Sequence, residues 1–157
     1  MLHKLINQIR NKTGFITEEI RENNERTGFK IITSHNEEAT LASTQFLTQI
    51  KVARYFVSIE NLEKVLLPLQ NFDPKDVLYI DEIGQMELFS KSFKRLVNSY
   101  LNSSNFFIGT ISKVYTDNFI EQILSRNDIE LVEIMPENRG NIYESIAKHL
   151  LTYSPTY

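Results

Sequence analysis

An apolar run that ends in two adjacent carboxylates constrains the fold of this chain more than any other feature. The run is Val77-Leu78-Tyr79-Ile80, and Asp81-Glu82 follow it directly. A short continuous apolar run bounded by polar residues is typical of a strand that is buried on both faces. Ligands of open α/β sheets bind beyond the carboxyl ends of such strands. The run therefore predicts a buried strand with a candidate site at its end.

Apolar periodicity after this run predicts strands and helices in alternation. Helices are expected at residues 90–101, with Ser90 as N-cap, at 117–125, with Leu124 facing inward, and at 141–151. Strands are expected at residues 105–111 and 129–134. Strands that alternate with helices and are almost continuously apolar indicate a parallel sheet covered on both sides. The sequence therefore predicts an α/β fold with a mostly parallel sheet and helices on both faces.

The N-terminal half predicts a helix followed by a β-hairpin insertion. The apolar spacing of residues 2–9 favours a short helix that ends at Thr13-Gly14. Residues 15–21 and 27–33 are short apolar-polar runs separated by Glu22-Asn23-Asn24-Glu25, and asparagine tolerates the positive φ of a tight turn. Further along, a strand is expected at 54–58 and a helix at 59–70, ended near Pro68, whereas 35–50 indicate no clear element.

Composition limits the class of protein. The 157 residues predict a single domain over residues 1–151, with a tail at 152–157. The absence of cysteine excludes disulfide frameworks and cysteine metal sites. The net charge of −3, with no basic block, predicts no nucleic-acid partner. No apolar run approaches the length of a membrane span and no signal-peptide pattern is present, so we expect a cytoplasmic protein without a membrane partner.

The carboxylate pair suggests two separate roles in phosphate chemistry, one at a metal ion and one at an attacking water. Adjacent side chains of a strand point to different sides. Asp81 is the candidate ligand of Mg²⁺, through water, since that ion keeps several waters and needs only one or two carboxylates. Glu82 is the candidate catalytic residue that positions and deprotonates an attacking water. The open alternative is that both acids only end the strand and begin a turn or helix.

Several strings together resemble the THEP1-type nucleoside-triphosphatases, a P-loop family sometimes grouped with the cancer-related nucleoside-triphosphatases. The resemblance runs from the first helix to about Ile146. It rests on these strings, in chain order: Gly14-Phe15-Ile16-Thr17-Glu18-Glu19-Ile20-Arg21, Arg26-Thr27-Gly28-Phe29-Lys30-Ile31, Leu41-Ala42, Arg54-Tyr55, Ile80-Asp81-Glu82-Ile83-Gly84 with Met86-Glu87-Leu88, Ser90 and Phe93, and Glu137-Asn138-Arg139.

The resemblance implies a RecA-like P-loop domain that hydrolyses the terminal phosphate of ATP, GTP and other nucleoside triphosphates with Mg²⁺. It also implies a set of nucleotide-binding residues, namely Ile80, Asp81, Glu82, Ile83, Gly84, Arg21, Arg26, Asn138 and Arg139. A guanidinium near the nucleotide can stabilise charge on the transferred phosphoryl group. The alternatives are solvated hairpin charges for the two earlier arginines and a polar helix start for residues 138–139. Gly140 stands where the family pattern has Asp.

The family pattern opens with a strand and a Gly-x-x-Gly-x-Gly-Lys-Thr/Ser phosphate loop, and neither occurs in these 157 residues. The resemblance places Met1 just after that loop. We therefore expect an α/β domain without the first strand and loop, with impaired or absent hydrolysis. The explanations left open are a late or misassigned start, a shortened gene, a strand supplied by another chain, and a rearranged sheet. An exposed sheet edge would favour an oligomer.

Two other functions remain open at this level. One is a non-catalytic nucleotide-binding or protein-interaction domain that retains the fold. The other is a metal-dependent nuclease that uses the same two carboxylates, which the acidic balance of the chain disfavours.

Overall fold

A mixed seven-stranded sheet forms the centre of the protein. The computed structural model describes residues 1–153. The strands lie in the order β4-β5-β3-β2-β1-β6-β7. The elements, in chain order, are α1 (Leu2–Ile6), β1 (Lys12–Glu22), β2 (Glu25–Thr33), β3 (Glu38–Ser43), β4 (Ile50–Val52), β5 (Tyr55–Val57), α2 (Ile59–Leu66), β6 (Val77–Ile83), α3 (Lys91–Leu101), β7 (Phe107–Ile111), α4 (Asn118–Leu124) and α5 (Arg139–Tyr153), with two short 3-10 turns at Pro68–Gln70 and Glu87–Phe89.

The α/β class is confirmed, but the sheet contains fewer parallel pairs than expected. Only β1 with β6 and β6 with β7 are parallel, while the other four neighbouring pairs are antiparallel. The physical reason lies in the hairpin. Its first strand, β1, pairs directly with β6, so β2 and the strands beyond it extend the same sheet in antiparallel order. The hairpin is thus part of the main sheet and not an insertion outside it.

The predicted hairpin is confirmed, with its turn at Asn23 and Asn24. Their φ angles are 50° and 65°, a conformation that asparagine tolerates and that suits a two-residue hairpin turn. The turn sets the register beside it, with Glu22 opposite Glu25, and a register shift between Ile20 and Arg21 then brings Phe15 opposite Thr33. The turn and this irregularity together determine which side chains of β1 reach each face.

The expected helix end at Thr13-Gly14 is wrong, since both residues lie in β1. The helix α1 ends at Ile6, and β1 begins at Lys12. Gly14 has φ +156° and pairs with Tyr79 of β6. A Cβ there would lie 1.9 Å from the Tyr79 carbonyl oxygen, so only glycine permits this close approach. The glycine marks a tightly packed strand and not a helix terminus.

Helices cover both faces of the sheet, as expected. Strand alternation sends Phe15, Leu78 and Ile80 to one face, where they pack with α2, α3 and α4. The opposite face carries Ile16, Val77 and Tyr79, packed with α1 and α5. The two strands next to each other, β1 and β6, are therefore buried on both sides, which explains the continuous apolar run of β6.

The C-terminal third differs most from expectation. Residues 129–134 form no strand, and Leu131 is 68 % exposed. A strand needs a hydrogen-bonding neighbour, and within residues 1–153 the outer strand β7 pairs only with β6. Leu124, expected to face inward, is 40 % exposed. The last helix begins two residues earlier than expected and continues to Tyr153, so residues 152–153 are helical, while the rest of the predicted tail, 154–157, lies outside the described residues.

Candidate functional site

The carboxylate pair lies within the last residues of β6. The strand continues to Ile83, and Asp81 lies opposite Ile16 of β1. The buried side chains of Ile80 and Ile83, on either side of the pair in the chain, anchor this strand end in the core. The pairing with β7 shifts register between Ile80 and Ile83, and the Asp81–Glu82 peptide is cis. Asp81 is half-buried and Glu82 is exposed.

Asp81 is oriented by a hydroxyl group from the neighbouring strand. Thr110 of β7 donates a hydrogen bond of 2.5 Å to Asp81 Oδ1. A carboxylate accepts several hydrogen bonds, so the second oxygen keeps its capacity for another partner. Sequence reasoning did not single out Thr110. The available signal was its place near the end of the strand expected beside β6, because carboxyl ends of parallel strands meet at one edge of the sheet.

Glu82 is a stronger base than an ordinary glutamate. Partial burial of its carboxylate raises its pKa above the usual value, and the negative charge of Asp81 raises it further. The residue as a whole is nevertheless exposed and reachable from solvent. A carboxylate with a raised pKa accepts a proton more readily near neutral pH. The pair therefore combines one fixed carboxylate with one accessible base.

A third acid, Glu87, lies behind the pair. It begins the 3-10 turn Glu87–Phe89 and is only 3 % exposed. The Thr17 hydroxyl of β1 donates to Glu87 Oε1 at 3.3 Å. Burial raises the pKa of Glu87 to about 7, against the opposing effect of hydrogen bonds, and the charge of Glu82 also raises it. Glu87 is therefore a buried acid next to the candidate base.

The two hairpin arginines do not lie beside the carboxylate pair. Arg21 is five residues beyond Ile16, the β1 partner of Asp81, which is about 16 Å along a strand. Arg21 and Arg26 both pair with Glu19, at 2.6 and 2.8 Å. They belong to a surface network near the hairpin turn, and their role at a nucleotide stays a prediction.

Arg26 has a second set of partners, Phe29 on its own strand β2 and Tyr55 on β5. Its Nε donates to the hydroxyl of Tyr55 at 2.9 Å, and its guanidinium lies over the Phe29 ring, 5.2 Å from the centroid. These contacts fix the guanidinium in the described structure.

Asn138 and Arg139 begin the last helix. Asn138 Oδ1 accepts from the Met135 N–H at 2.8 Å, and its Nδ2 donates to the Glu133 carbonyl at 3.0 Å. These bonds shape the turn before α5, which is the polar helix start that the sequence left open as an alternative. Arg139 is exposed at the first position of α5. A role for either residue at a nucleotide stays a prediction.

Mg²⁺ fits Asp81 as a partial ligand. Within residues 1–153 no group of three or more His, Asp or Glu side chains forms a protein-only metal site. Mg²⁺ does not require one, because it commonly takes one or two carboxylates and completes its shell with waters and phosphate oxygens. The half-buried, oriented carboxylate of Asp81 matches that mode.

The fold and the strand-end acids define a P-loop-like α/β protein. Comparison with known proteins makes the assignment specific. The family model described as NTPase matches residues 1–147. The chain belongs to this nucleoside-triphosphatase family.

Individual relatives are similar to this protein along most of the chain, in sequence and in structure. The nucleoside-triphosphatase THEP1 of Thermotoga maritima is 38 % identical over 148 residues, 93 % of this chain and 84 % of the relative. The crystal structure of THEP1 from Aquifex aeolicus superposes with a TM-score of 0.82 at 32 % identity, covering 95 % of this chain and 90 % of that one. The solution structure of a human cancer-related nucleoside triphosphatase superposes with a TM-score of 0.77 at 26 % identity. The superposition covers 96 % of this chain and 89 % of that one.

One further property follows from the helices. In the described part of the chain, none of them combines the length and apolar character that crossing a membrane requires.

Proposed function

We propose that this protein hydrolyses nucleoside triphosphates, ATP and GTP among them, in a reaction that depends on Mg²⁺. The observation that carries the proposal is the pair at the end of β6, in which Thr110 orients Asp81 and Glu82 has a raised pKa. The relatives named nucleoside-triphosphatases support the same class of reaction. The proposal includes a cytoplasmic location and no nucleic-acid substrate.

In this mechanism the two acids have separate tasks. Asp81 would hold Mg²⁺ through its water shell, and the bound ion supplies neutralisation of charge on the phosphate oxygens. Glu82 orients a water molecule and accepts its proton as that water attacks the terminal phosphorus. The bond to the leaving diphosphate oxygen breaks, and the products are a nucleoside diphosphate and inorganic phosphate. Positioning and charge neutralisation supply most of the rate enhancement in such reactions.

The proposal also concerns the phosphate loop of the family pattern. Backbone N–H groups and a lysine of that loop hold the β and γ phosphates, and the 157 residues contain no such loop. We expect these residues alone to hydrolyse ATP near the background rate. The suitable test protein is a loop-extended chain, in which a segment with an apolar strand and Gly-x-x-Gly-x-Gly-Lys-Thr is joined to Met1.

Calorimetry separates hydrolysis from the alternative of a non-catalytic domain. ATP, GTP and a non-hydrolysable ATP analogue are titrated into the 157-residue chain and the loop-extended chain with Mg²⁺. The enzyme hypothesis predicts binding of all three by the loop-extended chain, with phosphate release from ATP and GTP only. Tight binding without phosphate release would favour a nucleotide sensor, and no binding by either chain would favour an interaction domain.

Thr110→Val is expected to raise the Mg²⁺ concentration needed for half-maximal hydrolysis about 10-fold in the loop-extended chain. The substitution removes the hydroxyl that orients Asp81 and keeps the shape of the side chain. Groups that orient metal ligands typically contribute 10- to 100-fold in metal affinity. Thr27→Val is a matched control, since Thr27 is also a half-buried strand threonine and its hydroxyl donates to the Ile20 carbonyl. An unchanged Mg²⁺ requirement in Thr110→Val would exclude a role for Thr110 in orienting Asp81 for the ion.

We also propose that the free edge of β7 pairs with another strand, which in isolated 157-residue chains is the β7 edge of a second copy. Within residues 1–153 this strand has one neighbour, and exposed edges favour pairing. Light scattering after size-exclusion chromatography is expected to show dimers that Gly109→Pro converts to monomers, because the N–H of residue 109 faces away from β6 and proline removes this edge donor. Leu47→Pro, at a 96 % exposed position of the loop between β3 and β4, is the control for an added proline. A monomeric wild-type chain would contradict this expectation.

A further inference from the structure

Glu87 is an unusual acid in this fold because it is buried without a cationic partner. It is 3 % exposed, and within residues 1–153 none of the ion pairs includes it. Burying a carboxylate without a counter-charge is costly, so such groups tend to stay neutral. Its side-chain partner is the Thr17 hydroxyl. A neutral carboxyl group at this position has one O–H to donate and an oxygen that accepts from Thr17.

Gly84 brings Glu87 and the candidate base to one place. A Cβ built on Gly84 would lie 2.8 Å from Glu82 Oε1 and 3.0 Å from Glu87 Oε2. The two carboxyl groups therefore share the open face of one glycine. Any larger residue at position 84 would displace at least one of them. The glycine thus leaves the space in which the two acids meet.

We propose that Glu87 is a positioning residue, which holds the Glu82 carboxylate at the end of β6 from behind, across Gly84. The inference rests on the proposed hydrolase function, in which Glu82 must aim a water molecule. Thr17 anchors Glu87 to β1, and Glu87 in turn restricts Glu82, whose outer side is exposed. The raised pKa of Glu87, about 7, fits a carboxyl group that stays largely protonated below neutral pH, so that it faces the Glu82 carboxylate without a second negative charge.

Charged groups on the helices packed against this turn are engaged elsewhere. Glu63 of α2 accepts a hydrogen bond from Ser90 at 2.8 Å. Lys94 of α3 faces Asp117, with 3.8 Å between Nζ and Oδ2. The charged group that shifts the pKa of Glu87 is therefore the neighbouring base on β6.

Side-chain relaxation by NMR tests this role in the 157-residue chain with ¹³C-labelled glutamate at pH 6. The order parameter of Glu82 Cγ is expected near that of rigid sites, about 0.8, in the wild-type chain and in Glu87→Gln. It is expected below about 0.6 in Glu87→Met, which keeps the length but has no hydrogen-bonding groups. Glu63→Met breaks a different side-chain hydrogen bond and is the matched control, with Glu82 unchanged. Thr17→Val is expected to lower the order parameter of Glu82 Cγ as well. It provides the test if Glu87→Met does not fold.

The pH titration of the Glu87 carboxyl carbon gives the second readout. Its midpoint is expected near 7 and is expected to fall in Glu82→Gln, because the neighbouring charge is gone. A mobile Glu82 in the wild-type chain, equal mobility in Glu87→Met, or a midpoint insensitive to Glu82→Gln would overturn the positioning role. None of these readouts depends on hydrolysis. If the loop-extended chain showed no turnover, the proposed hydrolase function would be wrong. The NMR measurements would still decide whether Glu87 positions Glu82.

Discussion

Glu82→Gln is expected to reduce ATP hydrolysis by the loop-extended chain about 10²- to 10⁴-fold, the usual contribution of a general base. Glutamine keeps the size of the side chain but cannot accept the proton of the attacking water. The effect is expected in kcat, with little change in the KM for Mg²⁺-ATP, because nucleotide binding uses other groups. Phosphate release over a range of ATP concentrations up to saturation measures both constants.

Gln85→Glu is a control that changes charge at an exposed position three residues further along the chain. It is expected to retain hydrolysis within a few-fold of the unsubstituted chain. Equal turnover in Glu82→Gln and the unsubstituted chain would exclude Glu82 as the base. The acid pair would then fit its simpler interpretation, two polar residues that end a buried strand.

Folding stability is expected to fall by about 3 kcal/mol between pH 4.5 and pH 7.5 through Glu87 alone. Its pKa is raised from 4.5 to about 7, with burial as the main cause. Below pH 4.5 the residue is protonated in both the folded and unfolded states, so it has no effect. As the pH rises, the unfolded chain releases this proton first, which favours unfolding by about 1.4 kcal/mol per pH unit until the folded pKa is reached.

Glu87→Gln is expected to abolish this part of the pH dependence, because the amide does not titrate. Urea denaturation at several pH values between 4.5 and 8 measures the free energy of unfolding and its slope. Glu60→Gln, on the exposed face of α2, should keep the wild-type slope. If Glu87→Gln and the wild-type chain lost stability in parallel over this range, Glu87 would have to be ionised in the folded protein or exposed to solvent.

Local signals in the sequence were sufficient where a side chain acts on its own backbone. Ser90 was expected to cap a helix, and its hydroxyl accepts from the Phe93 N–H at 3.0 Å at the start of α3. Asn23 and Asn24 predicted the hairpin turn by their tolerance of positive φ. The apolar run before the acid pair became the buried strand β6. For Ser90 and the two asparagines, the deciding interaction lies within a few residues of the chain.

Long-range pairing decided the features that the sequence did not predict. Gly14 is typical of a helix end until the Tyr79 carbonyl is known to approach it. Residues 129–134 have the apolar content of a strand, yet no neighbouring strand pairs with them. Thr110 is one of many threonines, and only the β6–β7 pairing brings its hydroxyl to Asp81. The acid pair was therefore predictable, whereas the groups that orient it were not.

Phosphate release from ATP, measured for the loop-extended chain and for the 157 residues alone, with and without Mg²⁺, tests the proposed hydrolysis most directly. We expect sustained release only from the loop-extended chain and only in the presence of Mg²⁺, because the acid pair needs both a held phosphate and the ion. Equal release from the two chains, or release that is independent of Mg²⁺, would contradict it. A folded loop-extended chain that binds Mg²⁺-ATP and releases no phosphate would also contradict it.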